Sequence, residues 1–248
     1  MDKLADFMGE LGDPNPLKIR PEQVHFLNAE KAKAENLPRV NFFDIQGQYI
    51  GIYDSGSNLA NAQGVAHEAT HFHSFQSLQI SKDKSTSVRR FGISARIRES
   101  QIFYFDEVNE ATTAELTKIF DKEFFGQIPG LQKELAERQE FISRNSQDHP
   151  EVRGVAEDVA YITDDPVTGG KTGVCYTYHK ERDQLNFLID DMFAKGNAMN
   201  AGMFEDRDEV FGLFVQAALG GPMLDLARSI ETIYGKGAFR KLGEGTKR

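Results

Sequence analysis

The residues best suited to chemistry stand together in the pentapeptide His67-Glu68-Ala69-Thr70-His71. Two histidines four positions apart on a helix project from one face, about 40° from each other, so both rings can bind one metal ion. Glu68 lies about 100° round the helix from His67, which places its carboxylate beside the ion, where it can take a proton from a metal-bound water. Zinc suits this arrangement because it lowers the pKa of a bound water to about 7. The pentapeptide therefore predicts a zinc site with a general base beside it.

A catalytic zinc ion needs a third protein ligand and one open position. No third histidine follows closely, since positions 74–77 read Ser-Phe-Gln-Ser, so the ligand must come from another part of the chain. Glu110, early in a second predicted helix, is the best donor by position, and its rivals are Asp106, Glu107 and Glu115. His73 stands about 200° round the helix from His71 and is expected to pack or face solvent rather than bind the ion.

Both segments resemble motifs of the gluzincins, the thermolysin-like zinc metallopeptidases, and especially of their small bacterial and archaeal members. That family has H-E-x-x-H on one helix and N-E-x-x-[ST] on a following one, and positions 67–71 and 109–113 match these patterns. The resemblance implies a zinc-dependent metalloendopeptidase that hydrolyses bonds in a peptide or protein substrate. It further implies one zinc ion per chain, bound by His67, His71 and Glu110, with Glu68 as general base and acid.

The chain departs from the family pattern behind the metal ligands. The family commonly has an acidic residue four positions after the glutamate ligand, where it hydrogen-bonds a zinc-bound histidine, but this chain has Ala114 there. Loss of such a partner typically costs about 10- to 100-fold in metal affinity or activity. Thr113 and Glu115 are the candidates to replace it. The departure favours an alternative hypothesis, a catalytically weak or latent zincin-like interaction module that binds zinc without turnover.

The resemblance implies two further parts of an active site. The family takes an oxyanion-stabilising Tyr or His from its C-terminal lobe, and positions 178–182 resemble the segment that carries it. Tyr178 is the first choice for this donor, and His179 is the second. Asn41 and Phe42 resemble the edge strand on which these enzymes hold an extended peptide, so they are predicted to bind substrate.

The hydrophobic pattern predicts the elements that must position these residues, and they amount to an α+β fold. The resemblance implies that residues 1–248 form a single zincin-like catalytic domain. Residues 1–20 should be irregular. The N-terminal lobe, about 21–125, should hold a small β-sheet and the active-site helix, and the C-terminal lobe, about 126–244, should be all helical. Helices are predicted over 21–36, 61–80, 107–125, 131–144, 151–161, 179–194, 208–219 and 222–234, and extended segments over 40–45, 49–53, 88–98 and 101–105.

Composition limits the partners. A net charge of −9 repels phosphate backbones, so nucleic acid is not an expected ligand. No apolar stretch approaches the roughly 18 residues of a membrane span, so insertion into a bilayer is not expected. Without a signal-peptide pattern at the start, the protein is predicted to be cytoplasmic, or exported by a route without a recognisable signal peptide.

Two other segments resemble functional sites, a phosphate-binding loop and a nucleophilic cysteine, but their residues do not support either function. Positions 169–172 read Gly-Gly-Lys-Thr, the end of a phosphate-binding loop, but the loop's first glycine would be residue 165, which is Asp. A surface turn is predicted there instead. Cys175 is the one cysteine, which excludes an internal disulfide, and it is predicted to be a small buried hydrophobic residue rather than a nucleophile.

Overall fold

The computed structural model describes residues 2–14, 16–34, 37, 40–82, 84–97, 100–148 and 158–246, and its fold is mixed α+β, as predicted. The described helices are α1 (Asp2–Glu10), α2 (Ala29–Ala34), α3 (Asn58–His73), α4 (Asp106–Phe124), α5 (Gln132–Asp148), α6 (His179–Met199), α7 (Arg207–Leu219), α8 (Met223–Tyr234) and α9 (Ala238–Gly245). The described strands are β1 (Val24–Leu27), β2 (Phe42–Asp44), β3 (Tyr49–Tyr53), β4 (Gln76–Ile80), β5 (Thr86–Phe91), β6 (Ser94–Arg96), β7 (Phe103–Tyr104), β8 (Val159–Asp164) and β9 (Lys171–Cys175).

The described strands form three small sheets. In the first sheet, β3 lies in the centre, with β1 parallel to it on one side and β2 antiparallel to it on the other. The second is an antiparallel meander of β4, β5, β6 and β7, and the third is the hairpin of β8 and β9. Within the described chain β2 is therefore an edge strand, with one side open to a further strand.

Buried apolar side chains form two clusters. The first joins α1, the first sheet and α3, and Ala66, Ala69 and Phe72 are its α3 residues within or next to the pentapeptide. The second lies among α6, α7 and α8, and it includes Val108 and Ala111 of α4. Further along the same helix, Leu116 belongs to the first cluster. Helix α4 thus contributes to both clusters.

The structure confirms several predicted elements to within a few residues and corrects others. The β2–β3 hairpin, the strands from β5 to β7 and the helices α4 to α8 are confirmed. The predicted helix over 21–36 is wrong, because a 3₁₀ turn at Pro21–Gln23 leads into β1, and only α2 is helical; residues 35 and 36 lie outside the described chain. The spacing of Val24 and Leu27 does not distinguish a helix from a strand of only four residues. The parallel pairing with β3 makes this segment a strand.

The zinc-motif helix ends earlier than predicted. Helix α3 stops at His73 instead of continuing to Ile80, because Gln76–Ile80 pairs with β5 as strand β4. The first residues were also misjudged, since Asp2–Glu10 is helical rather than irregular. Leu4, Phe7 and Met8 are buried at helical spacing on that segment, so its apolar face is stabilised by packing.

The prediction of an all-helical C-terminal lobe is wrong. Strands β8 and β9 form an antiparallel hairpin there, and Val159–Asp164 takes in the end of the helix predicted over 151–161; residues 151–157 lie outside the described chain. The Gly-Gly-Lys-Thr segment contributes to the turn of this hairpin, where Gly169 N donates to Asp165 O at 2.8 Å, so the predicted surface turn is confirmed. None of the described helices is both long and apolar enough for a bilayer crossing.

Candidate metal centre

Helix α3, which carries the pentapeptide, is fixed at its first turn. Ser57 Oγ accepts the Ala60 N–H at 3.1 Å, and the Glu134 carboxylate, from α5, accepts the N–H groups of Asn58 and Leu59 at 3.1 Å each. The first N–H groups of a helix lack intrahelical partners, and the helix dipole favours a negative charge beside them. A carboxylate from a distant helix therefore holds the start of the site helix in place.

Helices α3 and α4 bring the three predicted zinc ligands together. Glu110 Oε2 lies 3.5 Å from His67 Nε2 and 3.4 Å from His71 Nε2, and one ligand atom from each residue lies within 4.8 Å of the others. Ligand atoms about 2.05 Å from a tetrahedral zinc ion are separated by about 3.3 Å. The spacing of the carboxylate from both imidazoles therefore fits a zinc ion, and the set of two His and one Glu is a ligand set that zinc takes in catalytic sites.

The three candidate ligand side chains also form a charged cluster with each other. Burial raises the pKa of Glu110, but the charges of His71 and His67 and their hydrogen bonds outweigh it and hold that pKa well below the usual range. Burial lowers the pKa of His71, but the charge and hydrogen bond of Glu110 outweigh it, so the net shift is upward. Protons and a metal ion therefore compete for the same nitrogen, and metal binding should release protons.

Glu68 is buried beside this cluster. Desolvation raises the pKa of its carboxyl group, while the charges of His67 and His71 and a hydrogen bond from the backbone of Phe43 act in the opposite direction. The net shift of the Glu68 pKa is upward. Its position next to the ligands, without belonging to them, is the one predicted from the helical spacing.

The shell behind His71 is incomplete. His71 Nδ1 is buried and has no hydrogen-bond partner among the described residues. Neither Thr113 nor Glu115 therefore replaces the missing acid at this histidine. Glu115 instead accepts hydrogen bonds from Arg182 Nε and Asn186 Nδ2, both at 2.9 Å. A buried polar atom without a hydrogen-bond partner costs about 1–3 kcal/mol, so this position of His71 lowers the stability of the fold.

The two candidate oxyanion donors occupy different places. Tyr178 precedes α6 in a left-handed conformation, with φ of 57°, and its ring stacks on His67 with centroids 5.7 Å apart. It lines the cleft over the ligands. His179 is half exposed, and its Nδ1 lies 3.5 Å from Asp183 and 4.0 Å from Asp158. It is absent from the linings of both clefts at the metal group, so the structure brings Tyr178 to the site and leaves His179 outside.

The two predicted substrate-binding residues lie at the same cleft. Asn41 Oδ1 accepts the Tyr53 N–H at 2.8 Å, and Phe42 begins the edge strand β2. Both residues line the small cleft of about 210 Å³ that contains all three ligands. The edge of β2 therefore runs beside the candidate metal group. Its Phe43 N–H already binds Glu68, so an extended chain could pair only with the remaining backbone groups of this edge.

Several cleft residues had escaped the sequence analysis. Phe91 of β5 packs its ring against His71, with centroids 5.1 Å apart, and nothing in the sequence places β5 beside α3. Tyr176 and Gln63 line a larger cleft of about 520 Å³ next to His67 and Glu68. Gln63 could have been predicted from the sequence, because it stands four residues before His67 and so lies on the same face of the helix.

The remaining chemically active residues have ordinary structural roles. His73 is buried away from the ligands, and its Nδ1 lies 2.8 Å from Asp13 Oδ2, which confirms its predicted packing role. Cys175 is half-buried and lines the larger cleft, so the prediction that it is a small buried hydrophobic residue is wrong. Burial raises the pKa of its thiol, which lowers the fraction of reactive thiolate.

The chain matches no known protein-family model, no curated protein and no solved structure.

Proposed function

We propose that the protein is a zinc-dependent endopeptidase. The observation that carries the proposal is the convergence of His67, His71 and Glu110 from two helices, with Glu68 buried beside them at a cleft. A bound zinc ion would act as a Lewis acid and lower the pKa of a water molecule to about 7. The two motifs that resemble those of gluzincins contribute the same four residues, which supports the assignment of roles.

Each protein group then has a separate task. Glu68 takes a proton from the attacking water and later gives it to the leaving amine, and its raised pKa suits both transfers. The Tyr178 hydroxyl is proposed to donate a hydrogen bond to the oxygen that becomes negatively charged. The open edge of β2 binds the substrate backbone as an added strand, which presents one peptide bond to the cleft.

Zinc content and cleavage of a peptide library, measured on the same preparations, test the proposal. The parent should hold about one zinc per chain, and the Glu68→Gln variant should keep its zinc but lose about 100-fold or more in cleavage rate. Glu123→Gln, an exposed change on α4, is the matched control and should alter neither quantity. Zinc below about a tenth of an equivalent after zinc is supplied, or undiminished cleavage by Glu68→Gln, would refute the proposal.

A second candidate is a zinc-binding interaction module without turnover. The unpartnered His71 Nδ1 favours it, since the usual support for a ligand histidine is missing. This candidate predicts about one bound zinc and no cleavage by the parent. None of the described residues of 1–20 or 235–248 lines either cleft, so a folded, zinc-loaded parent that cleaves no peptide would favour this candidate over a latent enzyme.

A further inference from the structure

The larger cleft beside the metal group has small residues on its walls. It extends from His67 and Glu68 between α3, α4 and the β8–β9 hairpin, with a volume of about 520 Å³. Ala60 and Gly64 line it from α3, Ala114 lines it from α4, and Ala160 lines it from β8. The alanines leave room for a large side chain of a bound peptide next to the reacting bond, whereas the space at Gly64 is taken by the Asn41 side chain.

One polar group in this cleft has a fixed orientation. Gln63 Nε2 donates to Asp121 Oδ2 and to the Ala160 carbonyl oxygen, at 2.7 Å each. A carboxylate and a carbonyl can only accept here, so the amide cannot be rotated by 180° without losing both bonds. Gln63 Oε1 accepts no hydrogen bond from the described residues and is not sealed off from solvent. The cleft therefore presents a hydrogen-bond acceptor at a set position.

The charge behind this amide is already compensated. Arg138 binds both oxygens of Asp121, at 2.7 and 2.9 Å, and the Tyr176 hydroxyl donates to Oδ2 at 2.5 Å. Among the described residues that line the cleft, Glu68 is the one carboxylate, and there is no Lys or Arg. A carboxylate side chain of a substrate would lose its hydration in this cleft without gaining a counter-charge, and a cationic one would find only Glu68, beside the candidate metal site, to pair with.

We propose that Gln63 is a specificity-determining residue, which selects substrates with a large, uncharged side chain that carries a hydrogen-bond donor, such as tyrosine, beside the cut bond. This inference rests on the proposed peptidase function for the meaning of the cleft. A phenylalanine side chain would fill the same space and leave the fixed acceptor without water or a donor. Sites built to hydrogen-bond a substrate group discriminate strongly against analogues that lack it.

Binding of small probes tests the inference without any need for turnover. N-acetyl-tyrosinamide and N-acetyl-phenylalaninamide are titrated into the zinc-supplied, full-length protein and followed by NMR. We expect the tyrosine probe to bind about tenfold tighter and to shift the Gln63 side-chain amide signal. In Gln63→Met the preference should fall to about twofold or less, whereas the exposed control Gln216→Met should retain it.

A change in the probe removes any dependence on variant folding. N-acetyl-4-fluorophenylalaninamide carries fluorine where tyrosine carries its hydroxyl, so against the parent it should bind like the phenylalanine probe. Equal binding of the tyrosine and phenylalanine probes, or no binding of either, would overturn the inference. A tyrosine preference in a protein that binds zinc but cleaves no peptide would support the inference and refute the proposed peptidase function.

Discussion

Zinc should raise the unfolding temperature of the protein, and Glu110→Gln should remove most of that increase. The unfolded chain cannot hold Glu110 within 3.5 Å of both histidines, so zinc binds the folded state preferentially. At a free zinc concentration 100 times the dissociation constant, such binding contributes about 2.7 kcal/mol. For a chain of this length, about 2–4 °C accompanies each kcal/mol, so the expected increase is about 5–11 °C.

The measurement is a thermal unfolding scan with zinc and with a chelator, for the parent and for each variant. The quantity compared is the increase caused by zinc, because Glu110→Gln also changes the metal-free protein by removing the charge partner of His71. His73→Asn is the matched control. It should unfold at a lower temperature, since it breaks the buried contact with Asp13, but it should keep the full increase with zinc. An unchanged increase in Glu110→Gln would refute the assignment of the ligands.

Three further predictions concern the stability of the fold around the site and beyond it. Glu134→Ala should lower the free energy of unfolding in urea by about 1–2 kcal/mol, because the start of α3 loses its acceptor, and exposed Glu137→Ala should not. Burial raises the pKa of Asp158, but Arg182 and Lys118 outweigh burial and lower it, so its stabilising contribution is present above about pH 4 and is lost at lower pH. The urea midpoints of the parent and Asp158→Asn should therefore converge as the pH falls through that range; a constant gap would contradict this. Gly221→Ala should cost about 1–3 kcal/mol by the same assay, since φ is +86° and the new Cβ would lie 2.6 Å from Phe75; a change below 0.5 kcal/mol would contradict the assigned strain.

Local spacing accounts for the parts of the site that could be predicted. The positions of His67, Glu68 and His71 follow from helical geometry, and Asn109 and Glu110 were found through a second motif. Helices with long apolar stripes, such as α4 and α6, were predicted to within a few residues. In each case the information lies within a few turns of one element.

What could not be predicted depends on distant partners. Residues 24–27 form a strand only because β3 lies beside them, and Gln76–Ile80 leaves the helix only because β5 pairs with it. Phe91 reaches His71 through the same long-range pairing. The fixed amide of Gln63 depends on Asp121, 58 positions away in the sequence. A single sequence contains no direct signal for such contacts.

Helix α4 belongs to both apolar clusters, and this gives a metal ion at the site a mechanical role. Both histidines lie on the helix that packs into the first apolar cluster through Ala66 and Ala69, whereas Glu110 stands between Val108 and Ala111, which pack into the second. An ion held by all three ligands would add a further connection between the two clusters, which α4 already joins through Leu116. Any sliding between the clusters would change the distance from carboxylate to imidazole, so loading with metal should stiffen the protein well beyond the cleft.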